Sequence, residues 1–334
     1  MSDNTPRLRQ ISLLGGVGSG KSTWLGALLD GLDGGRSPAL TVEKLPEDTS
    51  GVNELTDPIL DGRFPQRTEL SHKSPVEIQL GTHHPLLKRE NFNLGLSDYS
   101  GEELDILFSD RAGWSSQWKR RAQSDVLLVF VRPSVAVAIP RLLVGKTPDD
   151  AARWQHLKEP TAGGRSLPPL GPVQKLPRPP ASEAADIEVA RPGDPVKVPT
   201  SLELVEIIQF IRHGRGLAPG ELPPPGSLRV VLVITAWDML PPQVQARGPA
   251  EILADTVPLL EEYIQTNFNP LDVFRFGLSA VGGDLNNPTY SESFRDNPQG
   301  YVTWVDVGGH IQRANDIALP LYWGLFGEVA WRLI

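Results

Sequence analysis

Apolar residues along this chain occur in short continuous runs, separated by stretches with helical spacing. The continuous runs are typical of parallel strands that are covered on both faces. They fall at residues 11–14, 126–131, 229–234 and 273–278. The stretches with helical spacing fall at residues 24–29, 201–215, 249–268 and 319–334. This alternation predicts an α/β fold with a mostly parallel central sheet of about six strands and helices on both faces.

Two further segments alternate between apolar and polar residues, which is the period of a strand with one buried face. They are residues 75–80 and 92–97, and we expect them to form an antiparallel hairpin at the edge of the sheet. A short helix is expected over 53–60. Residues 281–313 are rich in Gly, Asn and Asp, which predicts a long loop with one short strand near 301–305.

Prolines crowd residues 134–200, where aromatic residues are few and charges are scattered. Such a segment buries too little apolar surface to offset the entropy of ordering it. We interpret it as an extended or irregular insertion, either a mobile surface loop or an arm that binds a partner. The main domain then has an N-terminal part at 1–133 and a C-terminal part at 227–334. The insertion occupies 134–226 and contains one helix near 201–215.

Composition narrows the class of protein. The 334-residue chain is 40% hydrophobic, which is sufficient for a substantial core. Its formal net charge of −8 argues against a broad nucleic-acid-binding surface, and the lack of cysteine excludes disulfides and thiolate metal sites. Residues 1–10 are polar, and the longest apolar runs are far too short to span a bilayer. We therefore expect a cytoplasmic protein with no membrane span and no direct contact with nucleic acid.

The strongest chemical signal is a glycine-rich motif between the first predicted strand and the first predicted helix. Its spacing is G-x-x-x-x-G-K-[S/T], and the stretch consists of Gly15, Gly16, Val17, Gly18, Ser19, Gly20, Lys21, Ser22 and Thr23. Glycines allow successive backbone N–H groups to surround phosphate oxygens, and the following helix adds the positive end of its dipole. The Lys21 ammonium can reach the outer phosphates, and the Ser22 hydroxyl can ligate Mg²⁺. The motif therefore predicts a site for nucleotide phosphates.

A second motif, D-x-x-G, closes the predicted strand at 92–97. Asp98 would hold Mg²⁺, usually through water, and the N–H of Gly101 could donate to the γ-phosphate. Asp and Gly are also common at strand ends because they form turns. The position of the motif, after a phosphate loop and at the end of a predicted strand, favours the role in nucleotide binding.

The motifs follow one another as phosphate loop, loop threonine, D-x-x-G, T-x-x-D after a strand, and Ser-Ala after the last strand. This series resembles the TRAFAC-type GTPases, which include the small signalling GTPases, over nearly the whole chain except the proline-rich insertion. The resemblance implies a three-layer P-loop NTPase fold that binds GTP or GDP with Mg²⁺. Thr68 would close over Mg²⁺ when the γ-phosphate is present. Asp238 would accept hydrogen bonds from guanine N1 and N2, and the N–H of Ala280, next to Ser279, would donate to guanine O6.

Two departures from the family pattern bear on base recognition and hydrolysis. The family usually carries N-K-x-D, whereas Thr235 and Ala236 replace Asn and Lys here. Thr235 can still hydrogen-bond the phosphate loop, and Trp237 could replace the lysine stem that packs on the base. Glu102 follows Gly101, where fast small GTPases carry a glutamine that orients the attacking water. A carboxylate beside the phosphates is unfavourable without a cation, so we expect slow intrinsic hydrolysis that a partner stimulates.

More narrowly, four short runs are similar to bacterial double-GTPase (DO-GTPase) domains, which occur in multi-protein systems, some with conflict or antiviral roles. The runs are Gly62-Arg63-Phe64-Pro65, Asp98-Tyr99-Ser100-Gly101-Glu102, Thr235-Ala236-Trp237-Asp238 and Pro320-Leu321-Tyr322-Trp323. The sequence holds a single copy of the domain, so a partner GTPase would be a separate chain.

We therefore expect a GTPase of low intrinsic activity that acts as a nucleotide-dependent switch. Its protein partner would engage the switch loops or the proline-rich insertion. The expected catalytic residues are Lys21, Thr68, Gly101 and Glu102, and the expected metal ligands are Ser22, Thr68 and Asp98. Local candidates for a catalytic cation are Arg63, Arg67 and Arg111. Two alternatives stay open: a GTP-binding scaffold with negligible turnover, and a P-loop ATPase or small-molecule kinase.

Overall fold

A mixed β-sheet forms the centre of the protein in a computed structural model. The structure describes residues 9–16, 18–37, 39–65, 76–82, 91–96, 116–134, 136 and 200–332. These residues all belong to one compact unit. The proline-rich residues 137–199 lie outside the described residues, so their interpretation as an insertion stays a prediction. Within the described residues, no helix combines the length and the apolar character that crossing a membrane requires.

The described residues contribute nine strands to the sheet. In chain order they are β1 (Arg9–Leu14), β2 (Leu40–Lys44), β3 (Val76–Thr82), β4 (Asn91–Leu96), β5 (Val126–Val131), β6 (Arg229–Thr235), β7 (Val273–Ser279), β8 (Tyr301–Val305) and β9 (Ile311–Ala314). Their order across the sheet is β2-β3-β4-β1-β5-β6-β7-β8-β9. The five central strands, β4 to β7 in that order, pair in parallel, and two antiparallel strands extend the sheet on each side.

Nine helices of the described residues lie between these strands along the chain or, for the last helix, after β9. They are α1 (Lys21–Asp33), α2 (Ser50–Leu60), α3 (Ser116–Ala122), α4 (Thr200–Gly214), α5 (Pro242–Gln245), α6 (Pro249–Thr256), α7 (Pro258–Asn267), α8 (Pro288–Asp296) and α9 (Leu319–Phe326). Short 3₁₀ turns cover Trp237–Met239, Pro270–Asp272 and Gly327–Arg332.

Two separate apolar clusters show that the sheet is covered on both faces. Along β5, Leu128 and Phe130 point into one cluster with residues of α1 and α9. Their neighbours Leu127 and Val129 point into the other cluster, with residues of α4, α6 and α7. All six β5 side chains are buried, as a continuous apolar run requires in a central parallel strand. The predicted three-layer α/β arrangement is therefore present.

The prediction of about six strands was too low. The strand β2 was not predicted, and it lies outside β3, so the β3–β4 pair is antiparallel as expected but is not the edge of the sheet. The strand β9 was also missed and pairs with β8 at the opposite edge. Edge strands are hard to recognise because they are only partly buried; β2 and β9 both carry exposed and polar residues.

Three helical segments also differ from the sequence expectations. The helix expected over 249–268 is two helices, because Pro258 has no N–H to continue the first one and instead begins the second. The loop expected over 281–313 contains α8. The closing helix expected over 319–334 ends at Phe326, where Gly327 has a φ of 61° and a 3₁₀ turn follows.

The helices α1 and α2 approach each other most closely at Gly26. A Cβ atom at this position would lie 2.2 Å from the carbonyl oxygen of Leu55, so one backbone would have to move. Gly31, on the same helix, is different: a Cβ there would meet only the Arg36 side chain, at 3.9 Å. The close packing of α1 on α2 thus depends on one of the two glycines.

We expect Gly26→Ala to lower the free energy of unfolding by about 1–3 kcal/mol, because overpacking forces a backbone shift. Gly31→Ala is the matched control, and we expect it to be neutral or stabilising by up to about 1 kcal/mol, since Ala favours the helix. Urea unfolding of the two variants beside the parent protein measures both values. Equal effects at the two positions would contradict the close approach at Gly26.

Candidate functional site

The loop between β1 and α1 is built so that only glycine fits at two of its positions. Gly15 has a φ of 147°, and a Cβ atom there would lie 2.5 Å from the Phe130 carbonyl oxygen and 2.8 Å from Ser19 Oγ. Gly20 has a φ of 89°, and its Cβ would lie 3.0 Å from the Thr235 side chain. The loop backbone therefore fits closely against β5 and β6. A side chain at either glycine would collide with these neighbours.

Lys21 begins α1 directly after this loop and is only 7% exposed. Its ammonium donates to the carbonyl oxygen of Gly15 and, at 3.2 Å, to that of Gly16. The Ser19 hydroxyl lies 3.4 Å from the same nitrogen. A positive charge is thus held on the glycine loop, at the N-terminus of a helix, and this arrangement fits a bound phosphate.

The other predicted residues of the loop divide into two groups. Gly18 is exposed, and Ser22 and Thr23 are partly exposed. Val17 lies outside the described residues. Among the described residues, no group of three or more His, Cys, Asp or Glu side chains could hold a metal ion.

Thr235, the last residue of β6, ties this strand to the phosphate loop. Its hydroxyl donates a hydrogen bond of 2.6 Å to the carbonyl oxygen of Ser19, and both residues are buried. Thr235 occupies the position of the family's asparagine and, as expected, hydrogen-bonds the phosphate loop. The bond fixes the spacing between the loop and the turn that follows β6.

Asp238 lies in that turn and is oriented by Ser279 at the end of β7. The fully buried Ser279 hydroxyl donates to Asp238 Oδ1 at 2.5 Å and accepts from the N–H of Gly282 at 3.0 Å. Ala280 follows Ser279 and is partly exposed. The strands β6 and β7 are parallel neighbours. The two predicted base-recognition segments therefore leave the sheet at the carboxyl ends of these strands, on the same side as the phosphate loop after β1.

The structure places Trp237 differently from its expected role beside the base. The side chain is 1% exposed and belongs to the apolar core, where a Cβ atom on Gly277 would lie 2.3 Å from the indole ring. Ala236, just before it, adopts a left-handed backbone with a φ of 52°, unusual for a residue other than glycine. This turn directs the indole inward, so we assign Trp237 to packing beneath the site rather than to stacking on a base.

One residue near the loop was not predicted from the sequence. Glu203, in the first turn of α4, has Oε2 4.0 Å from the place of a Cβ on Gly16. Burial raises the pKa of its carboxyl, while the charge of Lys21 lowers it in part. The T-x-x-E pattern that begins at Thr200 signals a helix start but gives no sign of proximity to the phosphate loop.

Of the remaining predicted residues, Arg63 alone lies within the described part of the chain. Arg63 is exposed and paired with Asp61. The residues that lie outside the described part of the chain are Thr68, Asp98, Gly101, Glu102, Arg67 and Arg111. Their predicted roles in switching, metal binding and hydrolysis stay predictions.

Comparison with known proteins identifies the family. The sequence profile of a family described as Double-GTPase 1 matches residues 12–324, which include the glycine loop, Asp238 and Ser279. This chain belongs to the Double-GTPase 1 family. The more general resemblance to P-loop GTPases and the narrower one to double-GTPase domains are both confirmed.

Two other comparisons say less about this Double-GTPase 1 protein. No curated protein matches it. Among solved structures it is similar to a bacterial selenocysteine-specific elongation factor, EF-Sec, with 11% sequence identity and a TM-score of 0.33. The match covers 92% of this chain and 38% of that chain, so the chain spans well under half of the elongation factor.

We expect Thr235→Val to lower the free energy of unfolding by about 1–2 kcal/mol, because it leaves the buried Ser19 carbonyl without this donor. Thr266→Val is the control: its hydroxyl donates to the carbonyl of Glu262 on an exposed helix surface, where water can replace it. Urea unfolding without nucleotide gives both values. Equal losses of unfolding free energy in the two variants would show that the hydrogen bond to Ser19 stabilises the fold no more than an exposed one.

Glu203→Gln removes a negative charge beside the phosphate loop. We expect it to raise the affinity for a nucleoside triphosphate roughly three- to tenfold, since a nearby unit charge acts on the anionic ligand at this strength. Glu206→Gln, on the same helix, is the matched control and should leave the affinity unchanged. Titration calorimetry at low salt measures the difference, and an identical response of both variants would contradict a local effect.

Proposed function

We propose that the protein binds GTP with Mg²⁺ and acts as a nucleotide-dependent switch that hydrolyses GTP slowly. One observation carries the proposal: a phosphate loop and a carboxylate are both held at the carboxyl ends of the central strands. The loop is held by the Thr235–Ser19 hydrogen bond, and the Asp238 carboxylate is held by the Ser279–Asp238 hydrogen bond. Phosphates would lie on the glycine loop, where Lys21 is held. The base would then face Asp238. Membership of a GTPase family supports this reading of the two parts.

Selection of guanine follows from the chemistry of the Asp238 carboxylate. Guanine presents two donors, N1–H and the N2 amino group, to a carboxylate that accepts both. Adenine has neither donor in that arrangement, so its binding would leave the carboxylate unpaired. The Ser279 hydroxyl donates to Asp238 Oδ1 and so restricts the position of the carboxylate. The N–H of Ala280 would donate to guanine O6 from the neighbouring segment.

Slow turnover is part of the proposal because of Glu102. A carboxylate at this position does not orient the attacking water as a glutamine does, and it repels the γ-phosphate. When bound, Mg²⁺ would neutralise charge on the outer phosphates, with Ser22, Asp98 and Thr68 as its protein ligands. A protein partner would supply the missing water orientation or a cationic side chain. A bacterial multi-protein system with a conflict role is the setting we propose, by analogy with double-GTPase domains.

Two alternatives differ in what the bound nucleotide does. A GTP-binding scaffold would show the same affinity and specificity with negligible turnover, with GTP acting as a structural ligand. An ATPase or small-molecule kinase would retain the phosphate loop but would not need Asp238 opposite Ser279. The geometry at Asp238 therefore favours the first two over the third.

The first experiment compares GTP and ATP binding in the presence of Mg²⁺ for the parent protein and two variants. Lys21→Ala should lose binding of both nucleotides, because it removes the cation from the loop. Asp238→Asn should weaken GTP by roughly tenfold or more and favour xanthosine triphosphate, whose 2-carbonyl oxygen accepts from the new amide.

Asp255→Asn is the control for Asp238, since Asp255 belongs to an exposed pair with Arg247 at 2.7 Å and should not affect binding. Equal affinity of the parent protein for GTP and ATP would overturn the base-reading role of Asp238. The rate of GTP turnover in the same preparation distinguishes the switch from the scaffold.

A further inference from the structure

A tyrosine outside the predicted motifs lies against the segment that follows β7. Tyr290 is in the first turn of α8, and local sequence fixes where this helix begins. The Asn287 side chain accepts from the N–H groups of Thr289, at 3.1 Å, and Tyr290, at 3.4 Å. Pro288 stands at the first helical position, which its fixed φ suits. The placement of Tyr290 therefore follows from a well-defined helix start.

The Tyr290 side chain contacts the backbone of residues 281–283, which follow β7. Its hydroxyl donates a 2.7 Å hydrogen bond to the Val281 carbonyl oxygen. A Cβ atom on Gly282 would lie 2.7 Å from the phenol oxygen, and one on Gly283 would lie 2.7 Å from the ring. The Gly282 Cβ would also lie 2.6 Å from the Gln299 carbonyl oxygen, whereas at Gly283 the nearest atoms all belong to the Tyr290 ring. The segment 281–283, which we call the base loop, thus packs directly against the Tyr290 side chain.

The base loop is also connected to Asp238. The Gly282 N–H donates to the Ser279 hydroxyl, which in turn donates to Asp238. Burial and, after it, the charge of Asp238 raise the pKa of the Tyr290 phenol. The phenol is therefore neutral and a hydrogen-bond donor at neutral pH, within the field of the carboxylate proposed to read the base.

The helix that carries Tyr290 is itself firmly anchored. Ser291 is 8% exposed and donates to the carbonyl oxygen of Gly62 at 2.8 Å, and a Cβ on Gly62 would collide with it at 2.6 Å. Phe294, one turn further on, is 3% exposed in a small apolar cluster. The other buried members of that cluster are Ala27, Ile59, Val281 and Leu285. Helix α8 is thus fixed to α1 and α2 as well as to the base loop.

We propose that Tyr290 is a positioning residue for guanine specificity. It holds the base loop so that the N–H of Ala280 and the carboxylate of Asp238 face the base together. This inference rests on the proposed function, because it concerns the same site. It extends that function to a helix that the phosphate-loop and base-recognition motifs do not include.

The test measures the affinities of the intact protein for GTP and ATP by equilibrium competition with Mg²⁺. Tyr290→Phe keeps the ring and removes the hydrogen bond to Val281. We expect GTP affinity to fall roughly three- to tenfold and ATP affinity to change by less than about twofold, so that the ratio of the two falls. Gly283→Ala retains the tyrosine hydroxyl but places a methyl group against the ring. We expect it to lower the ratio of GTP to ATP affinity as well.

Tyr263→Phe is the matched control. Tyr263 is a half-buried tyrosine of α7, and it packs on the apolar cluster formed with α4, α6 and α7, away from the base loop. It should leave the ratio unchanged. A parent protein that prefers GTP, with an unchanged ratio in Tyr290→Phe and Gly283→Ala, would overturn the inference and leave the proposed function standing. Equal loss of both nucleotides would also overturn it, since that indicates general destabilisation. A parent protein with no preference for GTP would refute the proposed function, and the inference with it.

Discussion

The hydrogen bond from Thr235 to the phosphate loop is the contact on which the rest of the candidate site depends. It is possible only because Gly20 brings the loop within van der Waals distance of the Thr235 side chain. Two chain segments that are far apart in sequence are thereby held in contact at the carboxyl ends of the strands. The sheet sets the distance between the ends of β1 and β6, and this contact fixes the loop after β1 relative to the turn after β6. A nucleotide of defined length requires that separation to be constant.

The sheet supplies the rigidity behind this contact. The strands β1, β5, β6 and β7 are adjacent and parallel, so their carboxyl ends lie side by side. One apolar cluster covers one face of these strands, and the second cluster covers the opposite face. Residues at the strand ends therefore inherit precise positions from a core that tolerates little movement. Helix α8 and the 3₁₀ turn after Ala236 are attached to this frame.

The sequence allowed the centre of the fold to be predicted but not its margins. Strands such as β5 are recognisable because six consecutive apolar residues have no other simple explanation in a polar chain. The edge strands β2 and β9 carry no such signal, since their pairing comes from neighbours distant in sequence. Helix α8 had a local signal, Asn287 followed by Pro288, that the abundance of Gly and Asn around it concealed.

The candidate site divides in the same way. The glycine loop and Asp238 were predictable because their chemistry requires particular residues at fixed spacing. The burial of Trp237 was not, because it depends on Gly277, a residue on another strand. Glu203 reaches the phosphate loop through the packing of α4 on the sheet, which no spacing within the chain encodes. Tyr290 was missed for the same physical reason: its contacts are tertiary.

The packing of Trp237 on Gly277 has a consequence for how this family can diverge. The indole in the turn after β6 fills the space that a side chain on Gly277 of β7 would need, so position 277 cannot be enlarged while Trp237 is present. Relatives that enlarge position 277 would need a smaller residue at 237, and a change in the two-residue unit would alter the turn that carries Asp238. The orientation of Asp238 would therefore depend on this buried pair as well as on the hydrogen bond from Ser279.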